Sequence, residues 1–428
     1  MTEERLITQT YTIPNHIVCV YDEVIQQKYV KALAEFLCFI THADKNAKLI
    51  YCLWAKSIIC TDASENWTFT PNFKYLKDGL YYDKNDDKSN KLRLSLLFDC
   101  FYLAEKTSNY YIEKAYIFLS RKTGGYFSKD VLNQVHEFYL GSNNGDNIPT
   151  ELKNHRKHDY EFQQKKIKKV LVVATMSAGK STLINALIGN KINKAASMAC
   201  TNKIRCVHNK YANEGTVLEC TDGSIIYTEN PKKAQHSSVE TVGVHFQSFF
   251  SKERICLVDT PGVNYSGNQT HGQMTRKSID SNDYDILLFV SNATQFLTED
   301  DAKILEYVIK NCKKEMIFCL NQCDSFDPDD DSITETINIW RKLLSENKIS
   351  NPNLITVSAL GALLLKMEQQ HAELTKSEQV QIKSIKNDFK DSFYHLEQYC
   401  SNRVDKELHK DLLIHTGIYN LETMIKTL

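Results

Sequence analysis

Val170-Leu171-Val172-Val173-Ala174-Thr175-Met176-Ser177-Ala178-Gly179-Lys180-Ser181-Thr182-Leu183-Ile184-Asn185-Ala186-Leu187 is the stretch that decides the fold. Its first four residues are an unbroken apolar run of strand length, the pattern of a strand buried on both faces. Thr182 to Leu187 reads as the opening of a helix. Between the two, Ala174 to Ser181 matches the phosphate-loop pattern GxxxxGK[ST], with Ala in place of the first Gly. A Cβ is tolerated at Ala174 only if that residue keeps a negative φ. In such a loop the backbone N–H groups of Ala178, Gly179 and Thr182 and the helix N-terminus converge on a β-phosphate, and Lys180 sets a charge across the β/γ oxygens. Ser181 offers an oxygen to Mg2+. A bare match arises by chance, but this one lies between a buried strand and a helix opening, so a mere strand-to-helix turn is the weaker reading.

Three further strand ends repeat the arrangement. Ile255-Cys256-Leu257-Val258 runs into Asp259-Thr260-Pro261-Gly262, where an Asp can hold a Mg2+ hydration shell and a Gly N–H can approach a γ-phosphate with no side chain in the way. Ile317-Phe318-Cys319-Leu320 runs into Asn321-Gln322-Cys323-Asp324, the NKxD guanine motif with Gln for Lys. The Asp324 carboxylate can accept two hydrogen bonds from guanine N1 and N2, which adenine cannot supply, so Asp324 is expected to set the base preference. Leu354-Ile355-Thr356-Val357 ends in Ser358-Ala359-Leu360, where a backbone N–H is expected on guanine O6. One Thr between the first helix and Asp259 should bring its hydroxyl to Mg2+. Thr201 in Ala199-Cys200-Thr201-Asn202-Lys203 has the right distance from the loop, with Thr216 and Thr221 as rivals and an ordinary surface Thr as the plain alternative.

Outward from this region the chain has 428 residues, room for about two or three domains. With 52 Lys+Arg against 53 Asp+Glu, no global charge drives it toward nucleic acid or anionic lipid. Only 15 Gly and 7 Pro interrupt it, so long helices are expected. The 13 cysteines include no CxxC pair, and those in apolar runs, such as Cys256 and Cys319, read as small hydrophobes. Zinc is not expected, and a reducing, cytoplasmic setting is. Residues 1–20 carry two acids and no apolar core, unlike a secretory leader. Leu49 to Cys60, interrupted by Lys56, falls short of the ~20 residues a membrane span needs.

Residues 1–145 are Tyr-rich, with helix-length apolar patterns near 22–42, 48–60, 92–106 and 127–140. A mostly helical N-terminal domain of unassigned role is expected there, with one strand-like piece at Thr8 to Val20. Gly141-Ser142-Asn143-Asn144-Gly145-Asp146-Asn147 is the strongest linker signal. Glu151 to Lys169 then reads as a charged helix, its lysines a solvated face. The fold class expected for residues 150–428 is α/β, a P-loop domain with a mostly parallel sheet, carrying a helical insertion at about 363–412. Met367, Leu374, Ile382, Ile385, Phe389 and Leu396 recur there at helical spacing, and packing on the P-loop domain is preferred over membrane contact.

Over about residues 165–362 these motifs resemble the dynamin superfamily of large GTPases, particularly the bacterial dynamin-like proteins. The likeness rests on Ser177 to Leu187, on Asp259-Thr260-Pro261-Gly262-Val263-Asn264, and on Asn321-Gln322-Cys323-Asp324 trailed by Ser325 to Asp331. The resemblance implies GTP and GDP as ligands with Mg2+, and a catalytic set of Ser177, Lys180, Thr201 and Gly262. It also implies a K+ or Na+ near Ser177, and activation by pairing of GTPase domains, as a homodimer or with another dynamin-like protein. Two departures stand out. Val263 occupies the place of the water-orienting Gln of Ras-like enzymes, and Met176 stands where dynamins carry a P-loop Gln. With Leu428 soon after Thr416-Gly417-Ile418, a full stalk is not expected within these residues. Peripheral membrane attachment is compatible with the family, although no segment indicates it. An Era-like, ribosome-associated GTPase is the second reading, without an RRM or KH signature to support RNA binding. A GTP-binding partner subunit with little turnover is the third.

Overall fold

The computed structural model describes residues 7–11, 13, 16–59, 64–68, 72–80, 87–122, 128–146, 148–175, 177–193, 203–262, 269–295, 298–404 and 411–428. It divides into two compact units, Met1–Gln164 with Tyr211–Glu214, and Lys165–Lys210 with Gly215–Leu428. The division thus falls after Gln164 rather than at the Gly141–Asn147 turn.

The first unit is helical: α1 (Glu23–Ile40), α2 (Lys45–Ile59), α3 (Lys74–Leu80), α4 (Asp87–Thr107), α5 (Tyr110–Lys122), α6 (Lys129–Tyr139) and α7 (Thr150–Gln164). The charged helix α7 belongs here because it buries Leu152, His155, Asp159 and Phe162. Its Asp159 is ion-paired with Lys106 of α4, and its Arg156 reaches Glu105 at 2.6 Å. Tyr211–Glu214, which lies between two strands in sequence, contributes the Glu214 carboxylate that accepts from Tyr11 N–H at 2.9 Å. The strand-like piece from Thr8 forms no strand among the described residues. Ile17–Val20 is a 3-10 turn, and Thr10 C=O accepts from the Tyr102 hydroxyl at 3.2 Å. An alternating pattern needs a partner strand, and the helices around it leave none.

The second unit is a nine-stranded sheet among the described residues, ordered β4-β3-β5-β2-β6-β1-β7-β8-β9. Its elements in chain order are β1 (Lys168–Ala174), α8 (Lys180–Ile188), β2 (Arg205–Asn209), β3 (Thr216–Cys220), β4 (Ile225–Thr228), β5 (Val239–Val244), β6 (Ile255–Asp259), α9 (Gln269–Ser281), β7 (Ile286–Asn292), α10 (Glu299–Asn311), β8 (Glu315–Asn321), α11 (Ile333–Glu346), β9 (Asn353–Val357), α12 (Ala359–Gln369), α13 (Lys376–Asp388) and α14 (Ile418–Thr427). From β6 through β1 and β7 to β9 the strands are parallel, and β2 turns antiparallel against β6. This is the fold of a P-loop GTPase domain.

The period of two along β1 sorts its run between two cores. Val170 and Val172 pack with Leu183 and Leu187 of α8, Leu364 of α12 and Leu421 of α14. Leu171 and Val173 pack with Ile279 of α9, Ile304 and Val308 of α10 and Trp340 of α11. Ile382, Ile385 and Phe389 of the 363–412 segment join the first core, and Leu396 joins the second, so its apolar residues face the sheet unit. Lys366 and Glu422, both buried, pair at 2.5 Å and tie α12 to α14.

Gly417 shows how tightly the last helix is seated. Its φ is +71°, and a Cβ there would lie 1.9 Å from Thr356 C=O on β9. A Gly417→Ala chain is expected to unfold at lower temperature, losing more than ~2 kcal/mol, because strain and overlap with backbone add. An unchanged melting curve would show that the α14 junction relaxes freely.

Candidate nucleotide-binding site

Four loops meet where β1, β6, β8 and β9 end, at the carboxyl edge of the parallel strands. The strand order reverses at β1, whose neighbours are β6 on one side and β7 on the other. Ligands of open α/β sheets bind at such a switch point.

After β1 the chain turns through Ser177 (φ +66°) and Gly179 (φ +81°) into α8. Its N-cap, Gly179, makes no side-chain cap bond, so the first-turn N–H groups are not occupied by a capping side chain at that position. Gly179 has no room for a side chain, since a Cβ would lie 2.2 Å from Asn321 Nδ2. Asn321 closes the loop onto its neighbours: its Nδ2 donates to Ala178 C=O at 2.9 Å, and its Oδ1 accepts from Ala359 N–H at 3.1 Å. Gln322 (φ +67°) donates to Ser177 C=O at 3.0 Å, so this Gln anchors the P-loop from the motif position that usually holds Lys. Thr175 donates to Asp301 of α10 at 2.5 Å, a second anchor from the opposite side.

Lys180, 7% exposed, forms an ion pair with Asp259, 0% exposed, at the end of β6. Ser181 follows Lys180 in the first turn of α8. Beyond Asp259, Thr260 donates to Val172 C=O of β1 at 2.8 Å, and Thr275 of α9 donates to Pro261 C=O at 3.0 Å. These two bonds fix the backbone that leads into the half-buried Gly262. The acceptors are hard oxygens, and Asp259 Oδ1 already faces a cation in the Lys180 ammonium. That donor set suits Mg2+ and not a soft metal.

Asp324 follows β8, and burial raises its carboxyl above the usual carboxylate range. The Ser358 hydroxyl and its own backbone pull it back down, and Asp388 adds a smaller push upward. Of the Ser358-Ala359-Leu360 turn, from which one backbone N–H is expected on guanine O6, two N–H groups are engaged within the chain. Ser358 N–H donates to Thr416 C=O at 3.0 Å, and Ala359 N–H donates to Asn321 Oδ1 at 3.1 Å. A base contact from Ala359 would therefore have to exchange the Asn321 bond, and the buried Ser358 side chain caps α12 by accepting from Gly361 N–H at 3.0 Å. Thr201 and Met176 lie outside the described residues, as does Val263. Thr216, one rival of Thr201, is the buried first residue of β3 and Thr221 follows that strand, well along the sheet from β1.

Sequence reasoning passed over Asn185, Asn193 and Arg205, which surround Asp259. Asn185 carried a signal, being a polar residue inside the apolar run Leu183 to Leu187, where burial demands partners. Elsewhere, His395, Glu397 and His415 bring one donor atom each within 4.8 Å of one another. The two imidazoles are stacked, with centroids 3.7 Å apart and 10° between planes. Ring nitrogens offer their lone pairs in the ring plane, so parallel rings cannot both aim at one ion in this arrangement.

A β-strand, P-loop, Asp-x-x-Gly and guanine-motif constellation of this kind defines a P-loop nucleotide-binding domain of the GTPase type. Residues 170–323 match the Dynamin family. A probable transmembrane GTPase FZO-like, chloroplastic, of Arabidopsis thaliana is 29% identical over 242 residues, 55% of this chain and 24% of that protein. A bacterial dynamin-like protein of Nostoc punctiforme is 24% identical over 246 residues, 49% of this chain and 35% of that protein. GTPase Der of Alkaliphilus oremlandii is 24% identical over 225 residues, 52% of this chain and 42% of that protein. The chain thus spans well under half the length of each of these relatives. Among the described residues, no helix is long and apolar enough to cross a membrane.

Proposed function

We propose that the chain is a dynamin-like GTPase that binds GTP with Mg2+ at the carboxyl edge of the sheet and hydrolyses it to GDP and phosphate. The observation that carries this reading is the clasp of Asn321 and Gln322 on Ala178 and Ser177, inside a stretch that matches the dynamin family. It sets Asp324, the guanine reader, beside the loop that would hold the phosphates.

The residues divide the work. The N–H groups of Ala178, Gly179 and Thr182 cradle the β-phosphate, and Lys180 turns from Asp259 to the β/γ oxygens. Gly262 N–H meets the γ-phosphate. Ser181, Thr201 and Asp259 would hold Mg2+, and the ion when bound would neutralise charge developing on the phosphates. Water attacks the γ-phosphorus, the bond to the β-phosphate oxygen breaks, and GDP leaves with inorganic phosphate. Asp324 and the Ser358-Ala359 turn hold the base.

Neither Met176 nor Val263 can hydrogen-bond a water, so the positioning term in catalysis is weak in an isolated molecule. A second GTPase domain, from another copy or from another dynamin-like protein, supplies the missing order. Ser177, with K+ or Na+, balances the developing charge. Turnover per molecule should therefore rise with protein concentration or with an added dynamin-like partner, and Ser177→Ala should blunt any K+ or Na+ dependence. Phosphate release at saturating GTP across a wide protein range, with and without liposomes, is the test. A fast rate indifferent to concentration, partner and cation would contradict activation by pairing. A slow rate under every condition would favour a GTP-binding partner subunit.

A further inference from the structure

Asp259 ends β6 with both carboxylate oxygens engaged, Oδ1 by Lys180 and Oδ2 by Asn193, whose Nδ2 donates at 2.9 Å. Asn193 is itself held rigidly. Its backbone N–H donates to Asn185 Oδ1 and its C=O accepts from Asn185 Nδ2, both at 2.8 Å. Asn193 Oδ1 accepts from Arg205 Nη1 at 3.2 Å. Arg205 opens β2 directly opposite Asp259 in antiparallel register, so the two side chains leave the same face of the sheet. Its other nitrogens donate to Val239 C=O at 3.3 Å and His236 C=O at 3.2 Å. Burial pulls the guanidinium pKa below its ordinary value while the Asp259 charge pulls the other way. Arg205 is 7% exposed, and no motif assigns it a role.

We propose that Asn193 and Arg205 are positioning residues for Asp259 in Mg2+ binding, an inference that rests on the GTPase reading above. When Lys180 turns to the nucleotide phosphates, a buried carboxylate loses its only directly paired charge among the described contacts, a costly state unless another positive group compensates it. Arg205 is that group, acting through the Asn193 amide, which accepts from the guanidinium and donates to the carboxylate. Each bond polarises the next. Oδ2 stays fixed on Asn193, and Oδ1, the oxygen Lys180 vacates, is presented toward the hydrated ion. Outer-shell partners of this kind orient a ligating carboxylate and tune its affinity for metal.

The experiment follows release of a fluorescent methylanthraniloyl-GDP from the full chain over a range of Mg2+ concentrations, with parallel affinity measurements in EDTA. Asn193→Ala and Arg205→Lys should each raise the Mg2+ concentration that half-slows release by about 10–100-fold. Affinity for the same nucleotide in EDTA should stay at the wild-type value. The double variant should do no more harm than the worse single one, since both act on Oδ2. Should Asn193→Ala fail to fold, Asn193→Gln carries the same expectation, because its longer stem displaces the amide. Wild-type Mg2+ dependence in folded variants overturns the proposal and leaves the GTPase reading intact. If the wild-type chain binds no guanine nucleotide, that reading falls and this proposal falls with it.

Discussion

Lys180→Ala is expected to lower the affinity for GTP and GDP by about 100-fold or more, since the ammonium supplies charged hydrogen bonds worth about 1.5–3 kcal/mol each. A second effect distinguishes this chain from one that simply loses a ligand contact. Without nucleotide, Lys180 is buried against a fully buried Asp259. Truncating one partner of a buried pair typically costs ~3–5 kcal/mol, because the other charge is stranded. The nucleotide-free variant should therefore melt well below wild type. Adding Asp259→Asn removes the stranded charge, so the double variant should regain most of the melting temperature and none of the binding. Calorimetric melts and GDP titrations of the three chains check this. Wild-type GDP affinity in Lys180→Ala would displace the phosphate site from the P-loop.

Asp324→Ala is expected to erase the preference for guanine over adenine nucleotides. In the proposed base site guanine N1 and N2 would donate to the carboxylate, and an adenine would leave a half-buried acid without those donors. The same residue predicts a pH dependence whose sign follows from its surroundings. Burial raises the carboxyl in the free protein, and two guanine donors favour the charged form in the complex, lowering it there. Affinity for GDP should thus be full well above the free-protein pKa and fall on acidification, beginning at a higher pH than an ordinary Asp would require. An Asp324→Asn chain should lack that acid limb. GDP binding that is flat down to the usual carboxylate range in wild type would remove Asp324 from the base site.

The strand ends were legible because each combines a continuous apolar run with residues that only loops tolerate. Val170 to Val173 can be satisfied only between two cores, and Ser177, Gly179 and Gln322 adopt the left-handed backbone that such turns use. The geometry of the candidate base site was less legible, since the Ala359 N–H is taken up by a side chain 38 residues away. Turn chemistry misplaced the unit boundary. Gly141 to Asn147 reads as a loop, whereas the helix after it is retained by a buried contact from Asp159 and a part-buried one from Arg156 that no local pattern announces. The Asn185, Asn193 and Arg205 network was missed for the same reason. Its members come from a helix, a loop and a strand, and only the antiparallel register of β2 on β6 brings Arg205 opposite Asp259.

Calorimetric titration of the wild-type chain with GTP and ATP, in Mg2+ and at matched ionic strength, tests the central claim most directly. The account predicts GTP binding at least tenfold tighter than ATP, a gap of ~1.4 kcal/mol that two hydrogen bonds to Asp324 readily exceed. Equal affinity for the two nucleotides, or no binding of either, would contradict it.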